Sequence, residues 1–187
     1  YDLLEYVGIG EIIGINFPYE TEGKLEHYSD WRKLDQNSHA IGYAFKASPL
    51  QLAKAYSVIA NEGFVINPRI EKDKITYKNK SPKYKDSFSK VKNIVLKKVI
   101  EDGTGKKAKI DGYSVGGKTG TGRLHIKKEG YDLKNHISLF AGITPLSLPK
   151  LVIVVVIDQP QTKTHGGSDI AAPVFNKIAT DSLRILN

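Results

Sequence analysis

Residues Gly112 to Gly122 read Gly-Tyr-Ser-Val-Gly-Gly-Lys-Thr-Gly-Thr-Gly, and two chemistries compete for them. The first, Gly112 to Thr119, fits G-x-x-x-x-G-K-[ST], a loop whose amides and lysine cradle phosphates. The second, Lys118-Thr119-Gly120-Thr121, is a K-T-G pattern suited to acyl transfer. The Lys118 ammonium draws anionic groups and can help a neighbouring serine hold or pass a proton. The hydroxyls of Thr119 and Thr121 can hydrogen-bond a substrate carboxylate. Gly120 lets a flat substrate lie against the strand, and a backbone N–H near Thr121 can face a developing oxyanion.

The surrounding elements decide between them. A phosphate loop needs a buried apolar strand before it and a helix after it. Before Gly112 stands Gly-Lys-Lys-Ala-Lys-Ile-Asp, too charged for that strand. After Thr119 comes Gly-Thr-Gly-Arg-Leu-His-Ile-Lys-Lys-Glu-Gly, with no apolar helical face. An acyl-transfer site wants K-T-G on the edge strand of an antiparallel sheet, and Tyr113 to Thr119 alternates as such a strand should.

Along the chain, Tyr1 to Glu22 reads as a short helix end, then Gly8, Gly10 and Gly14, then a loop around Pro18. Ser48 is a good N-cap with Pro49 at the first helical position, and Leu50, Ala53, Ala55, Val58 and Ile59 give an apolar face. Gly63 is the expected C′ residue of that helix. A second helix is predicted from Ser87, as its N-cap, to Glu101, with Val91, Ile94, Val95, Lys98 and Val99 keeping the three-to-four spacing of one face. His136 to Thr144 and Lys150 to Asp158 read as strands joined by the Pro145–Pro149 turn. Ser168 to Leu186 reads as a final helix, in which Pro173 must lie in the first turn or kink it. The predicted class is α+β, an antiparallel sheet flanked by helices.

Composition sets further bounds. The chain has 187 residues, no Cys, no Met and a net charge of +8. Zero Cys excludes disulfides, thiolate catalysis and Cys-ligated metal. His27, His39, His125 and His136 show no metal-ligand spacing, so no metal and no cofactor are expected. The longest apolar run, Leu151 to Ile157, has the length of a buried strand. The absence of Met, with an opening already inside structured sequence, predicts a piece of a longer protein. Lysines crowd Lys72 to Lys92, interleaved with Tyr77, Tyr84 and Phe88. A nucleic-acid or polymer-binding module is the rival that this stretch raises. A solvated connection anchored by its aromatics is the reading preferred, with no nucleic-acid partner.

The blocks Gly42 to Ile70, Gly103 to Gly122, Ser138 to Gln161 and His165 to Phe175 occur in the order found in class B penicillin-binding proteins. The sequence resembles the C-terminal half of their transpeptidase domain, with division-type (septal) members nearest. The resemblance implies one transpeptidase domain of which 1–187 is the C-terminal part. It implies D,D-transpeptidation of peptidoglycan stem peptides through a serine acyl-enzyme, and acylation of that serine by β-lactams. It further implies divisome partners and an extracytoplasmic, membrane-anchored location. Lys118 and Thr121 are then catalytic, and Lys118, Thr119, Gly120, Thr121 and His165 bind substrate.

Two departures stand out. The family needs S-x-x-K and S-x-N before K-T-G. No S-x-N occurs, and every S-x-x-K, Ser87 to Lys90 included, follows the Ser48 helix instead of preceding it. The nucleophile is therefore expected in a missing N-terminal half that packs on the sheet and on the Ser48 helix. Thr164 and His165 also stand where division-type relatives tend to carry aromatics. Elongation-type transpeptidases, β-lactam sensors and serine β-lactamases are the alternatives on the same fold.

Overall fold

The computed structural model describes residues 1–71, 81–126, 130–162, 164 and 166–186. They form two compact units, Tyr1–Lys83 and Tyr84–Asn187.

The first unit holds helices α1 (Asp2–Tyr6), α2 (Lys33–Ala40) and α3 (Pro49–Ala60). The start of α3 matches expectation: the Ser48 hydroxyl accepts from Gln51 N, and Gln51 Oε1 accepts from Ser48 N, closing a capping box. Its end differs by one residue. Glu62, at φ +52°, occupies C′, and Gly63 follows at C″ with its N–H donating to the Val58 carbonyl at 2.8 Å. Glu62 N donates to the Ile59 carbonyl at 3.2 Å, which completes the two-bond termination of a Schellman motif. The inward face also differs. Ala55 and Val58 are buried as expected, but Gln51 and Lys54 are buried with them, while Leu50, Ala53 and Ile59 are half-buried. Gln51 is tolerated there because its amide is satisfied: Nε2 donates to the carbonyls of Glu11 and Glu22 at 2.8 and 2.7 Å.

The second unit opens with α4 (Lys85–Lys90), a π-helical turn (Val91–Leu96) and α5 (Lys97–Glu101) in unbroken succession. Ser87 is not the N-cap expected of it; the helix starts earlier, after Tyr84 in left-handed geometry, and Ser87 is an exposed residue of α4. The inward face is Phe88, Lys92, Leu96 and Ile100, and Ile94 and Val95 are exposed. Those four inward residues are spaced by four. On an α-helix each such step overshoots a full turn by about 40°. A π turn closes i→i+5 bonds, holds more than four residues, and undershoots, so the mixed helix keeps the four in line. The expected face assumed one uniform period. Lys92, at 5% exposure, also removes one end of the lysine-rich stretch from solvent. Residues 72–80 of that stretch lie outside the described residues.

The sheet has strands β1 (Gly116–Ile126), β2 (Gly130–Thr144) and β3 (Leu151–Asp158), antiparallel and in sequence order. β1 begins three residues after Tyr113 and runs on well past Thr119, and β2 begins six before His136. Helix α6 (Ala171–Leu186) lays Ala172, Phe175, Ala179 and Leu183 on the sheet, with Pro173 in its first turn. The Phe140 and Phe175 rings meet at 4.7 Å between centroids in a core shared with Ile100, Val115 and Val155. This is the α+β class that the sequence predicts.

Candidate active site

Strand β1 is an edge of the described sheet, paired only with β2. In an antiparallel pair, half of an edge strand's backbone groups point away from its neighbour. Lys118, Thr119, Gly120 and Thr121 pair with Ala141, Phe140, Leu139 and Ser138 in turn. No helix follows Thr119, so the lysine does not open a phosphate-binding helix. Directly paired residues share a face. Thr119 and Thr121 therefore stand on the Phe140 face, toward α6, and Lys118 on the other.

Each polar side chain has a defined partner. Lys118 is exposed, and its Nζ donates to the Thr119 carbonyl at 2.9 Å. Thr119 Oγ1 lies 2.7 Å from Thr104 Oγ1. Thr121 Oγ1 accepts from Gly167 N at 3.2 Å. A threonine hydroxyl has one proton and two lone pairs. Accepting from Gly167 leaves the Thr121 proton free to be donated outward.

Gly167 explains how the turn before α6 comes so close. A Cβ built on it would meet the Leu139 carbonyl and lie 2.6 Å from the Gly120 carbonyl. Gly120 itself offers no side chain at this approach. Lys107 Nζ pairs with Asp169 Oδ1 at 2.7 Å, and Asn176 Nδ2 donates to the Lys109 carbonyl. These bonds join the segment carrying Thr104 to the segment carrying Gly167.

The four K-T-G-T residues thus fall together at one edge. His165 lies outside the described residues, as does the side chain of His125. His39 is buried, stacked on Trp31 at 3.7 Å, with Nδ1 donating to the Asp35 carbonyl at 2.7 Å. His27 Nδ1 bonds Ser29 Oγ at 2.8 Å, and His136 is half-buried on β2. Among the described residues, no group of three His, Cys, Asp or Glu side chains could hold a metal. A groove of ≈ 520 Å³ in the first unit, lined by Ile12, Glu20, Lys46 and Ser48 among others, holds none of the K-T-G residues. Thr104, Ser138 and the Gly167 amide are site neighbours that sequence reasoning missed. Only the Gly166-Gly167 pair carried a local signal.

The site is thus an edge strand bearing K-T-G-T, backed by α6. The penicillin binding protein transpeptidase domain model matches residues 1–180, and the chain belongs to that family. It is 34% identical over 186 residues to "Probable peptidoglycan D,D-transpeptidase PenA" of Neisseria meningitidis serogroup B, covering 100% of this chain and 32% of that protein. The apo transpeptidase domain of Burkholderia pseudomallei penicillin-binding protein 3 is 31% identical with a TM-score of 0.86, over 100% of this chain and 56% of that one. Penicillin-binding protein 3 of Mycobacterium tuberculosis, solved in complex with aztreonam, is 28% identical with a TM-score of 0.86, over 100% and 46% of the two chains. The chain spans about a third of the length of the curated relative.

Proposed function

We propose that the intact protein is a serine-type peptidoglycan D,D-transpeptidase, acting in septal wall synthesis outside the cytoplasmic membrane and acylated by β-lactams. The chain 1–187 is the C-terminal part of its transpeptidase domain and supplies the substrate-binding wall. The observation that carries this is the exposed edge strand with Lys118, Thr119, Gly120 and Thr121 in consecutive positions. Family membership and the activity named for the Neisseria relative support it.

In this mechanism a serine from the remainder of the domain attacks the carbonyl of the penultimate D-Ala. Its proton passes to the departing D-Ala amine, and the carbonyl carbon stays on the serine oxygen as an ester. An amine from a neighbouring stem peptide then attacks that ester and frees the serine. Lys118 makes the site attractive to anions and supports the proton's passage, from the face opposite the threonines. Thr119 and Thr121 donate to the terminal carboxylate. Free N–H groups of the edge face the oxyanion and the peptide backbone. His165 is the further substrate-binding residue that the family resemblance implies. Divisome proteins are the expected partners.

The test is acylation of the full-length protein by a fluorescent penicillin. Parent protein should label, with the adduct mapping outside residues 1–187. Thr121→Ala should acylate about tenfold or more slowly, since a hydrogen bond to a charged group contributes about 1.5–3 kcal/mol. Its melting temperature should stay within a few degrees of the parent's. An unlabelled parent, or an adduct on Ser87, would remove this reading.

A further inference from the structure

We propose that Thr104 is a positioning residue that sets the direction of the Thr119 hydroxyl; this rests on the function proposed above. Thr104 lies 15 residues before Thr119 in sequence, and their Oγ1 atoms are 2.7 Å apart. One of the two hydroxyls must donate in that bond. If Thr119 donates, its only proton is spent and it meets an anion with lone pairs. If Thr104 donates, Thr119 keeps its proton for the ligand. A bound carboxylate selects the second arrangement, and the resulting chain of two O–H donors is polarised toward the anion. Thr121 already has the equivalent arrangement, because the Gly167 amide can only donate. With Thr104 donating, both threonines of the motif accept from within the chain and donate outward to one carboxylate.

The setting supports a fixed donor. The residues flanking Thr104 are tightly packed: a Cβ at Gly103 would lie 2.9 Å from Val99 Cα, and one at Gly105 would lie 2.7 Å from Ile100 Cδ1. Gly105 N donates to the Val99 carbonyl at 2.9 Å, and the Lys107–Asp169 pair ties the following turn to the Gly167 segment. The Thr104 side chain itself is exposed and adds nothing to the core.

The experiment uses the full-length protein, with Thr104→Val, Thr104→Ser and Thr104→Ala variants. Their acylation is compared for a penicillin with a free carboxylate and for its methyl ester. With the free acid, Thr104→Val and Thr104→Ala should acylate about three- to tenfold more slowly, the range for one net hydrogen bond. The loss should fall on the apparent dissociation constant rather than on the acylation rate constant. Thr104→Ser should recover the parent rate. With the ester, all four proteins should react alike, because there is no anion for the hydroxyl to meet. A labelled parent with unchanged Val and Ala variants would overturn the role of Thr104 alone. Equal slowing toward acid and ester would also overturn it, as a general structural effect. A parent that does not label would overturn the proposed function, and this inference with it.

Discussion

At the scale of single residues, two glycines of the site answer to different demands. Gly120 has been read as the residue that leaves room for substrate. A Cβ there would lie 3.0 Å from Leu139 Cδ2, the far end of a flexible side chain. Gly167 faces backbone: a Cβ on it would meet the Leu139 carbonyl and lie 2.6 Å from the Gly120 carbonyl. Carbonyls of a paired strand cannot step aside as a leucine methyl can. Gly167→Ala should therefore cost about 2–3 kcal/mol and lower the melting temperature by about 5–10 °C. Gly120→Ala should cost about 1 kcal/mol or less. Thermal melts of the two variants check this, and equal losses would contradict it. The motif residues were legible because K-T-G-T is local. The partners of its hydroxyls were not, since Thr104 and Gly167 come to Thr119 and Thr121 only through the tertiary fold.

At the scale of elements, α3 shows what a local pattern can and cannot say. Ser48 and Pro49 announce its start, and the Ser-x-x-Gln spacing announces the capping box. Nothing local announces that Gln51 is fully buried and bonded to Glu11 and Glu22, 40 and 29 residues away. Replacing it by leucine fills similar volume but orphans Ser48 N and two carbonyls. Gln51→Leu should destabilise by about 3 kcal/mol or more, because three groups lose their partner at about 1 kcal/mol or more each. Ser48→Ala, which loses one half-buried cap bond, should cost about 1 kcal/mol. Urea unfolding of the two variants gives the comparison, and a Gln51→Leu loss no larger than that of Ser48→Ala would reject the hub role. Helix α2 went unread for a related reason. Its sequence, Lys-Leu-Asp-Gln-Asn-Ser-His-Ala, has no apolar period, and only His39 is buried. Its start is instead fixed by Asp35, whose carboxylate accepts from Arg32 N and pairs with the Arg32 guanidinium.

At the scale of the whole molecule, the sheet was legible as an order of strands but not in extent. The apolar run of β3 announces itself, whereas the outer ends of β1 and β2, Gly122-Arg-Leu-His-Ile126 and Gly130-Tyr-Asp-Leu-Lys134, are short alternations broken up by glycines and charges. Charge is the other whole-molecule property, and it sets the stability profile against pH. The chain carries +8 at neutrality and reaches zero near pH 9.4, so general repulsion is least in mild alkali. At the acid end, Asp102 is held below its usual range by the Lys98 ammonium, Asp35 by the Arg32 guanidinium and Glu26 by Lys24. Their stabilisation is present above the unfolded carboxylate pKa and is lost as pH falls through the folded one. All three are exposed, so the loss should be small and should shrink with added salt. The alkaline end is different. Burial pushes the Tyr56 phenol in α3 from 10.0 up to about 12. A raised value means that the folded state holds its proton after the unfolded chain has released it. The contribution is complete below pH 10 and disappears as pH climbs to 12, a loss on the order of 2 kcal/mol. Exposed Lys98, raised by its bond to Asp102, fades in the same direction and contributes little. Urea unfolding at intervals from pH 8 to 12 should show stability falling above pH 10 in the parent. In Tyr56→Phe, which has no proton to lose there, the fall should be clearly shallower. Identical slopes in the two proteins would mean that Tyr56 is not the group whose burial governs alkaline stability.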